Sequence, residues 1–246
     1  MPLAVSVIQF IDMRPLSGGG FVIADTIDIR GEGLSPFAIG AGWLLEIISL
    51  RRGEFYFVRD NKEIRPRTKR FGILYPPFSV VRMATKELKA NLIGVGSMES
   101  IAGLPDTPLI FDTDFDGPIT AAIDAIRILA TARDKTSIEL NSKPSLLSIK
   151  AKRIIDDNYH IYPSIARIAA RLKVSPEHLS RQFKRDFEIS PSNYLHRLRM
   201  AEATYKLMKG EEIIDVSADV GYNDLSRFYK QFRKSTKTSP GNCQVR

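Results

Sequence analysis

The chain of 246 residues holds one cysteine, Cys243, one tryptophan, Trp43, and three histidines, His160, His178 and His196. A single thiol excludes an intramolecular disulfide and gives no reason to invoke an oxidising compartment. Residues 1–143 contain neither His nor Cys, so the usual ligands of a transition metal are missing from that whole stretch. Neither a metal nor another cofactor is expected. Long apolar runs are lacking too. The longest, FAIGAGWLLEIISL, is too short to span a bilayer and is interrupted by Glu46. The opening MPLAVSVIQFIDMRP has no basic leader and meets Asp12 too early for a secretory signal. These absences point to the cytoplasm.

Signatures of catalysis are equally scarce. The glycines at 18–20 and 31–33 are not followed by Gly-Lys-Ser/Thr, and no dinucleotide fingerprint opens a helix. Asp112, Asp114 and Asp116 have the spacing that begins a calcium loop, but the downstream Gly and Glu are missing and Pro118 follows. They read as a solvated acidic turn. No nucleophile–base pairing is visible in the front half, and the one thiol lies in the C-terminal tail. An enzyme is not expected.

What the chain does have is positive charge, unevenly placed. Residues 1–143 carry 17 basic and 17 acidic residues, whereas 144–246 carry 19 basic and 11 acidic. The whole net charge of +8 therefore sits on the last part, which suggests an acidic partner such as nucleic acid.

The pattern changes along the chain in the same place. Residues 1–117 show short β-like runs, Trp43–Leu50, Phe55–Arg59, Arg70–Tyr75, Val80–Met83 and Asn91–Val95, separated by turn residues. Such spacing predicts an antiparallel sandwich or barrel. The basic run Arg65, Arg67, Lys69 and Arg70 reads as a solvated strand and turn. After Gly117-Pro118, Ile119–Ala132 turns helical, with Ile119, Ala122, Ile123, Ile126, Leu129 and Ala130 on one face. That stripe suits either a helix docked on its own domain or a dimer helix. The polar stretch Asp134–Ser145 reads as a linker, so 118–143 is taken as helix plus linker.

From Leu146 onward the chain reads as helical. Leu146, Ile149, Arg153, Ile154 and Asp157 begin an amphipathic helix that ends near Tyr159, and Ile165–Leu172 forms a second. Ser175-Pro176-Glu177 and Ser190-Pro191 both spell a helix start, with a capping hydroxyl followed by proline. Between Pro191 and Met208, Tyr194, Leu198, Ala201, Tyr205 and Met208 step down one side, and Gly210 ends the helix.

One phrase is written twice. LSRQFKRDFEISPSNY (Leu179–Tyr194) returns 49 residues later as FYKQFRKSTKTSPGNC (Phe228–Cys243). Upstream, Ile165, Ile168, Ala169, Leu172 and Val174 match Ile213, Val216, Ser217, Val220 and Tyr222 at an offset of 48. Each copy is a short helix, a tight turn and a second helix with a basic outer face, which is the outline of a helix-turn-helix. The units span about 163–187 and 211–236 and are joined by helix 191–208. Leu179 with Phe183, and Phe228 with Phe232, must face each unit's core. That leaves Glu177, His178, Ser180, Arg181, Lys184 and Arg185 outward in the first, and Ser226, Arg227, Tyr229, Lys230 and Arg233 in the second. In the second, Asp224 or Asn223 can cap the later helix, and Gly221 can take the left-handed conformation of the turn.

Residues 144–246 resemble the DNA-binding domain of the AraC/XylS family of bacterial transcription regulators. The matching residues are IARIAARLKVSPEHLSRQFKRDF, then SPSNYLHRLRMAEATYKLM, then IIDVSADVGYNDLSRFYKQFRK with Ser-Pro beyond. RRGEFYFVRDNKEIRPRTKRFGILYPPFSVV is similar to that family's cupin-like sensor. The resemblance implies an α+β chain of two domains, a β-rich cupin-like sandwich or barrel followed by an all-α tandem helix-turn-helix domain. It implies recognition helices in successive major grooves of double-stranded DNA, with Glu177, Ser180, Arg181, Ser226, Arg227, Tyr229 and Lys230 at bases. Lys184, Arg185, Arg233 and Lys234 are then expected at phosphates. The implied role is a transcription regulator, of the activator kind, that works with RNA polymerase. The front domain is expected to receive a small-molecule effector or a regulatory protein, or to form a homodimer. Three positions depart from the family pattern: Ser217 replaces an alanine, Ser235-Thr236-Lys237 lacks the usual glycine, and Cys243 replaces an aromatic. They lead to the expectation of a second repeat that is less rigid, or that reads bases less strictly, than the first.

Overall fold

A computed structural model describes residues 12–16, 20–29, 32–38, 42–140, 144–161, 164–236 and 238–243. The opening residues, Gly18, Gly19 and Lys237 lie outside these. The chain divides into two compact units, Met1–Leu140 and Asn141–Arg246.

The first unit is one antiparallel sheet. Its strands are β1 (Asp12–Pro15), β2 (Phe21–Asp28), β3 (Glu32–Ala38), β4 (Trp43–Arg59), β5 (Lys62–Ile64), β6 (Arg70–Tyr75), β7 (Val80–Ser97), β8 (Leu109–Asp112) and β9 (Arg133–Ser137). They run in the order β1-β2-β7-β4-β6-β8-β9, with β3 also on β7 and β5 also on β4. Two pairs of short runs in the sequence are each one long strand. Trp43–Leu50 and Phe55–Arg59 are the halves of β4, and Val80–Met83 and Asn91–Val95 lie within β7. The register between β4 and β7 shifts at Leu50/Arg52 and again at Arg52/Glu54. Gly53 there has a φ of 86°, and its missing side chain lets the carbonyls of Lys86 and Glu87 come close. A bulge of this kind bends a strand and increases its twist. Both halves of β4 consequently feed one interior, where Leu44 and Ile48 meet Phe55, Phe57, Phe71 and Tyr75.

The opposite face of β4 carries Trp43, Leu45 and Ile47, and a helix covers it. That helix, α1, runs from Asp124 to Thr131 and starts later than the periodicity from Ile119 suggests. The carboxylate of Asp124 accepts hydrogen bonds from the backbone N–H of Thr120 (2.8 Å) and Ala121 (3.0 Å), which holds 119–123 as a turn. The buried face is Ala125, Ile128 and Leu129, whereas Ile123 and Ala130 point to solvent. The helix is thus docked on its own unit. Residues 133–137, expected within the linker, form edge strand β9, pinned by buried Ile138 and Leu140. The acidic turn is not fully solvated either. Asp112 is buried beside Thr68, and Asp114 pairs with Arg133.

Glu46 sits between Leu44 and Ile48 on the interior side of β4, 1% exposed. Its Oε1 has no hydrogen-bond partner among the described residues, and burial pushes its carboxyl up to about 8. An unfolded Glu ionises near 4.3, so between roughly pH 4.3 and 8 the native chain holds a proton that the unfolded chain releases. Stability of the first unit should therefore be highest below that window and fall as pH rises through it.

The second unit is all helix: α2 (Leu146–Asn158), α3 (Ile165–Arg171), α4 (Pro176–Phe187), α5 (Pro191–Met208), α6 (Ile213–Asp219), α7 (Leu225–Thr236) and α8 (Pro240–Cys243). Ser145, Ser164, Ser175 and Ser190 each cap a helix by accepting the N–H three residues on. On α2 the apolar stripe is not the buried one. Ser148, Ala151 and Ile155 face inward, while Leu146 and Ile149 are 65% and 45% exposed. Helix α5 is buried on more than one side, with Leu195, Arg199, Met200, Ala203 and Leu207 inside besides Tyr194, Leu198 and Met208, and with Ala201 exposed. It lies between the two repeats and so has no single solvent face.

Two stability predictions follow from these positions. Glu46→Gln should flatten the pH dependence of first-unit unfolding, followed by Trp43 fluorescence, and raise stability at pH 8 by on the order of 3–5 kcal/mol. An unchanged slope would mean that the native carboxyl is already ionised. Gly221→Ala should destabilise the helical unit, followed by circular dichroism, by about 1–3 kcal/mol. The residue has a φ of 82°, and a Cβ there would stand 2.7 Å from Arg199 Nη2 and 3.0 Å from the His160 carbonyl. Lys173 occupies the equivalent turn position with a φ of 57°, so Lys173→Gly should be tolerated.

Candidate nucleic-acid interface

Each repeat presents one helix whose inner side is sealed by two apolar residues four apart. On α4 these are Leu179 and Phe183, both fully buried. The Phe183 ring lies 4.8 Å from Phe187 and 5.7 Å from Tyr194 of α5, centroid to centroid. On α7 they are Phe228 and Phe232, 5.6 Å apart and packed with Val216, Val220, Met200 and Leu207. Sealing one side fixes which residues face out.

On α4, Glu177, His178, Arg181, Lys184 and Arg185 are exposed and Ser180 is half-buried. Arg181 Nη2 stands 3.5 Å from His178 Nδ1, and Arg185 donates to Gln182 Oε1 at 2.8 Å. On α7, Ser226, Arg227, Lys230, Arg233 and Lys234 are exposed, and Tyr229 is half-buried against Phe228. Leu225, Ser226, Tyr229, Lys230 and Arg233 line an open hollow of about 580 Å³ on this helix. Leu225 belongs to that surface although the repeat alignment gave no reason to include it. The cap of α7 is Asp224, whose Oδ1 accepts from the Arg227 N–H.

Charge pairing differs between the units. In the first, Arg52, Arg65, Arg67, Arg127 and Arg133 each have a carboxylate partner within 3.1 Å. The basic run of that unit is absorbed locally, Arg65 by Glu54 and Glu63, Arg67 by Asp134, and Arg70 by the Phe115 carbonyl and Ser49. On the two outward helices, Arg181, Lys184, Arg227, Lys230, Arg233 and Lys234 have no ion-pair partner among the described residues. A cluster of unpaired cations repels itself and favours a polyanion.

The turn and ends of the second unit are held from α5. Arg199, 8% exposed, donates from Nε to the Tyr159 carbonyl (2.7 Å) and from Nη1 to the Gly221 carbonyl (3.4 Å). His196 Nδ1 is 2.8 Å from the Tyr222 hydroxyl, and its Nε2 is 2.9 Å from Ser235 Oγ. Burial, with Lys234, Arg199 and Arg197 nearby, keeps the imidazole pKa below its usual value, so the neutral ring dominates at pH 7. The three departures from the family pattern each have a local partner. Ser235 contacts His196, Ser217 Oγ donates to the Tyr222 carbonyl at 3.4 Å, and Cys243 packs on the Phe228–Phe232 cluster. Burial raises the Cys243 thiol, which lowers its reactivity. His196, Arg199 and Tyr222 were given no supporting role in the sequence, where Tyr222 entered only as the repeat counterpart of Val174.

Residues 168–245 match the model of a helix-turn-helix domain. The chain is similar to the lactose operon transcription activator of Staphylococcus xylosus, 33% identical over 86 residues, 35% of this chain and 31% of that one. It is also similar to the HTH-type transcriptional regulator YobQ of Bacillus subtilis, 31% identical over 140 residues, 50% of this chain and 56% of that one. The match thus spans less than two thirds of either relative. Among solved structures, the C-terminal domain of AraT, a response regulator from Geobacillus stearothermophilus, is 26% identical with a TM-score of 0.40, over 43% of this chain and 92% of that one. Among the described residues no helix is long and apolar enough to cross a membrane. With the duplicated units, their sealed inner faces and the matched sequence all in one place, the C-terminal unit is a tandem helix-turn-helix DNA-binding domain of the AraC/XylS family.

Proposed function

We propose that the protein is a sequence-specific transcription regulator that lays α4 and α7 into successive major grooves of duplex DNA. The observation that carries this is the pairing, in both repeats, of a sealed apolar inner side with outward cations that, Arg185 apart, have no ion-pair partner among the described residues. Residues near the N-terminus of a recognition helix meet base edges, and later basic residues reach phosphates. Glu177, Ser180 and Arg181 would read bases from the first unit, and Ser226, Arg227, Tyr229 and Lys230 from the second. Lys184, Arg185, Arg233 and Lys234 would contact phosphates. Arg181 is the strongest candidate for a specific contact, since Arg to guanine O6 and N7 is the commonest one. The names of the relatives, transcription activators among them, support activation; the regulator would then work with RNA polymerase in the bacterial cytoplasm, where the DNA is. Control enters through the first unit, by a small molecule, a regulatory protein or a second copy of the chain.

Footprinting on a duplex selected by the protein from a random-sequence pool should show two protected segments about one helical turn, roughly 10 base pairs, apart. Protection of one segment only would sink the tandem reading. Affinity should also fall steeply with salt, as several phosphate contacts require. Arg181→Ala should relax base preference at one position and cost about 1–3 kcal/mol there, whereas Lys184→Ala should weaken all sequences alike. Equal, sequence-independent losses from both would overturn the assigned roles.

A further inference from the structure

In the proposed reading α4 and α7 both meet DNA, and six residues of α5, Tyr194–Arg199, carry contacts to the elements around both. Toward the first repeat, the Tyr194 hydroxyl donates to Asp156 Oδ1 of α2 at 2.6 Å, and its ring packs on Phe183 of α4. Five residues on, Arg199 binds the carbonyl of Tyr159, at the C-terminal end of α2. The same guanidinium reaches across to the Gly221 carbonyl, and its carbon lies 5.8 Å from the Tyr222 ring centroid. One turn earlier on α5, His196 holds Tyr222 at the start of the second turn and Ser235 near the end of α7. Tyr222 in turn packs edge-on against Phe228, the first inward residue of α7, at 5.7 Å.

The second outward helix is therefore tied to α5 on both sides, through Tyr222 and Ser235, and the same stretch of α5 is tied to α2 by Tyr194 and Arg199 and to α4 by the Tyr194 ring. A buried guanidinium with carbonyl acceptors on two different elements behaves as a rigid fork rather than a flexible tether. Gly221 leaves the room this needs, because any side chain there would collide with the guanidinium.

We propose that Arg199, together with His196, is a positioning residue that fixes α7 relative to α4, so that the domain selects the spacing of its two DNA segments as well as their sequence. This rests on the tandem-groove reading above. Two modules joined rigidly gain from simultaneous binding only when the sites have the matching separation, whereas loosely joined modules gain less but tolerate changes in separation.

The test uses the full chain and the duplex selected by the wild-type protein, with a derivative carrying one extra base pair between the two protected segments. Wild type should bind the derivative about tenfold or more weaker. Arg199→Met should weaken binding to the selected duplex while leaving binding to the derivative nearly unchanged, so that the ratio moves toward one. Arg199→Lys, which keeps the charge but not the fork, should lie between. A variant that merely lost folded protein would weaken both duplexes equally and keep the wild-type ratio, and that result would overturn the proposal. Should Arg199→Met fail to fold, Tyr222→Phe combined with Ser235→Ala removes both hydroxyls from His196, and the same fall in ratio is expected. A retained ratio in that double variant would again count against the proposal. Failure of the wild type to protect two segments would instead overturn the tandem reading, so the two failures are distinguishable.

Discussion

The buried guanidinium of Arg199 is the contact on which the arrangement of the helical unit turns. It joins the last carbonyl region of α2 to the turn between α6 and α7 from a helix belonging to neither. A charge in that position is tolerable because two carbonyls and an aromatic ring replace its water. Several features of the surrounding chain are consequences. Gly221 must lack a side chain, Tyr222 must present its ring, and α5 must be buried on more than one side. In the proposal above, the spacing between the outward helices follows from these constraints.

The duplicated units reach the same end by unequal means. Both seal the inner side of the outward helix with apolar residues four apart, and both cap it with an oxygen accepting the N–H three residues on, from Ser175 in one and Asp224 in the other. Their turns differ. The first places Lys173 in the left-handed region and follows it with two residues before Pro176, whereas the second uses Gly221 and one extra residue before Leu225. A left-handed lysine is strained, and Lys173 is exposed, while the glycine is enforced by Arg199.

Much of this was readable in the sequence because local chemistry decides it. Ser-Pro starts, the glycine stop at Gly210 and the four-residue spacing of Leu179–Phe183 and Phe228–Phe232 all act within one turn of helix. What the sequence concealed was set by tertiary packing. Leu146 and Ile149 opened the apolar stripe of α2, yet Ser148, Ala151 and Ile155 are the buried residues and Leu146 and Ile149 are exposed. Strand β9 is polar and pairs on one edge, so ARDKTS carries no alternation to betray it. The stripe from Ile119 was cut short by Asp124, whose side chain competes for backbone N–H groups ahead of the helix. At the interface, the outward residues followed from which side was sealed. The supports His196 and Arg199 did not, because a cation or imidazole on a basic helix looks solvated until its partners, distant in sequence, are known.

The imperfect fidelity of the second repeat has a physical meaning in these terms. Three departures mark it: Ser235-Thr236-Lys237 lacks the usual glycine, Ser217 replaces an alanine and Cys243 an aromatic. The structure gives Ser235, Ser217 and Cys243 local partners: a hydroxyl to His196, a hydroxyl to the Tyr222 carbonyl, and a thiol packed on the Phe228–Phe232 cluster. Two of these three lead to Tyr222, and through it to Arg199 and α5. The second repeat is held from the connecting helix, so the attitude of α7 is bound to α5 and through the Tyr194 ring to α4 of the first repeat. If α4 and α7 read adjacent grooves as proposed, a second helix held in this manner gains geometric precision only as part of the pair, and the connecting helix is then as much a determinant of recognition as the two helices it joins.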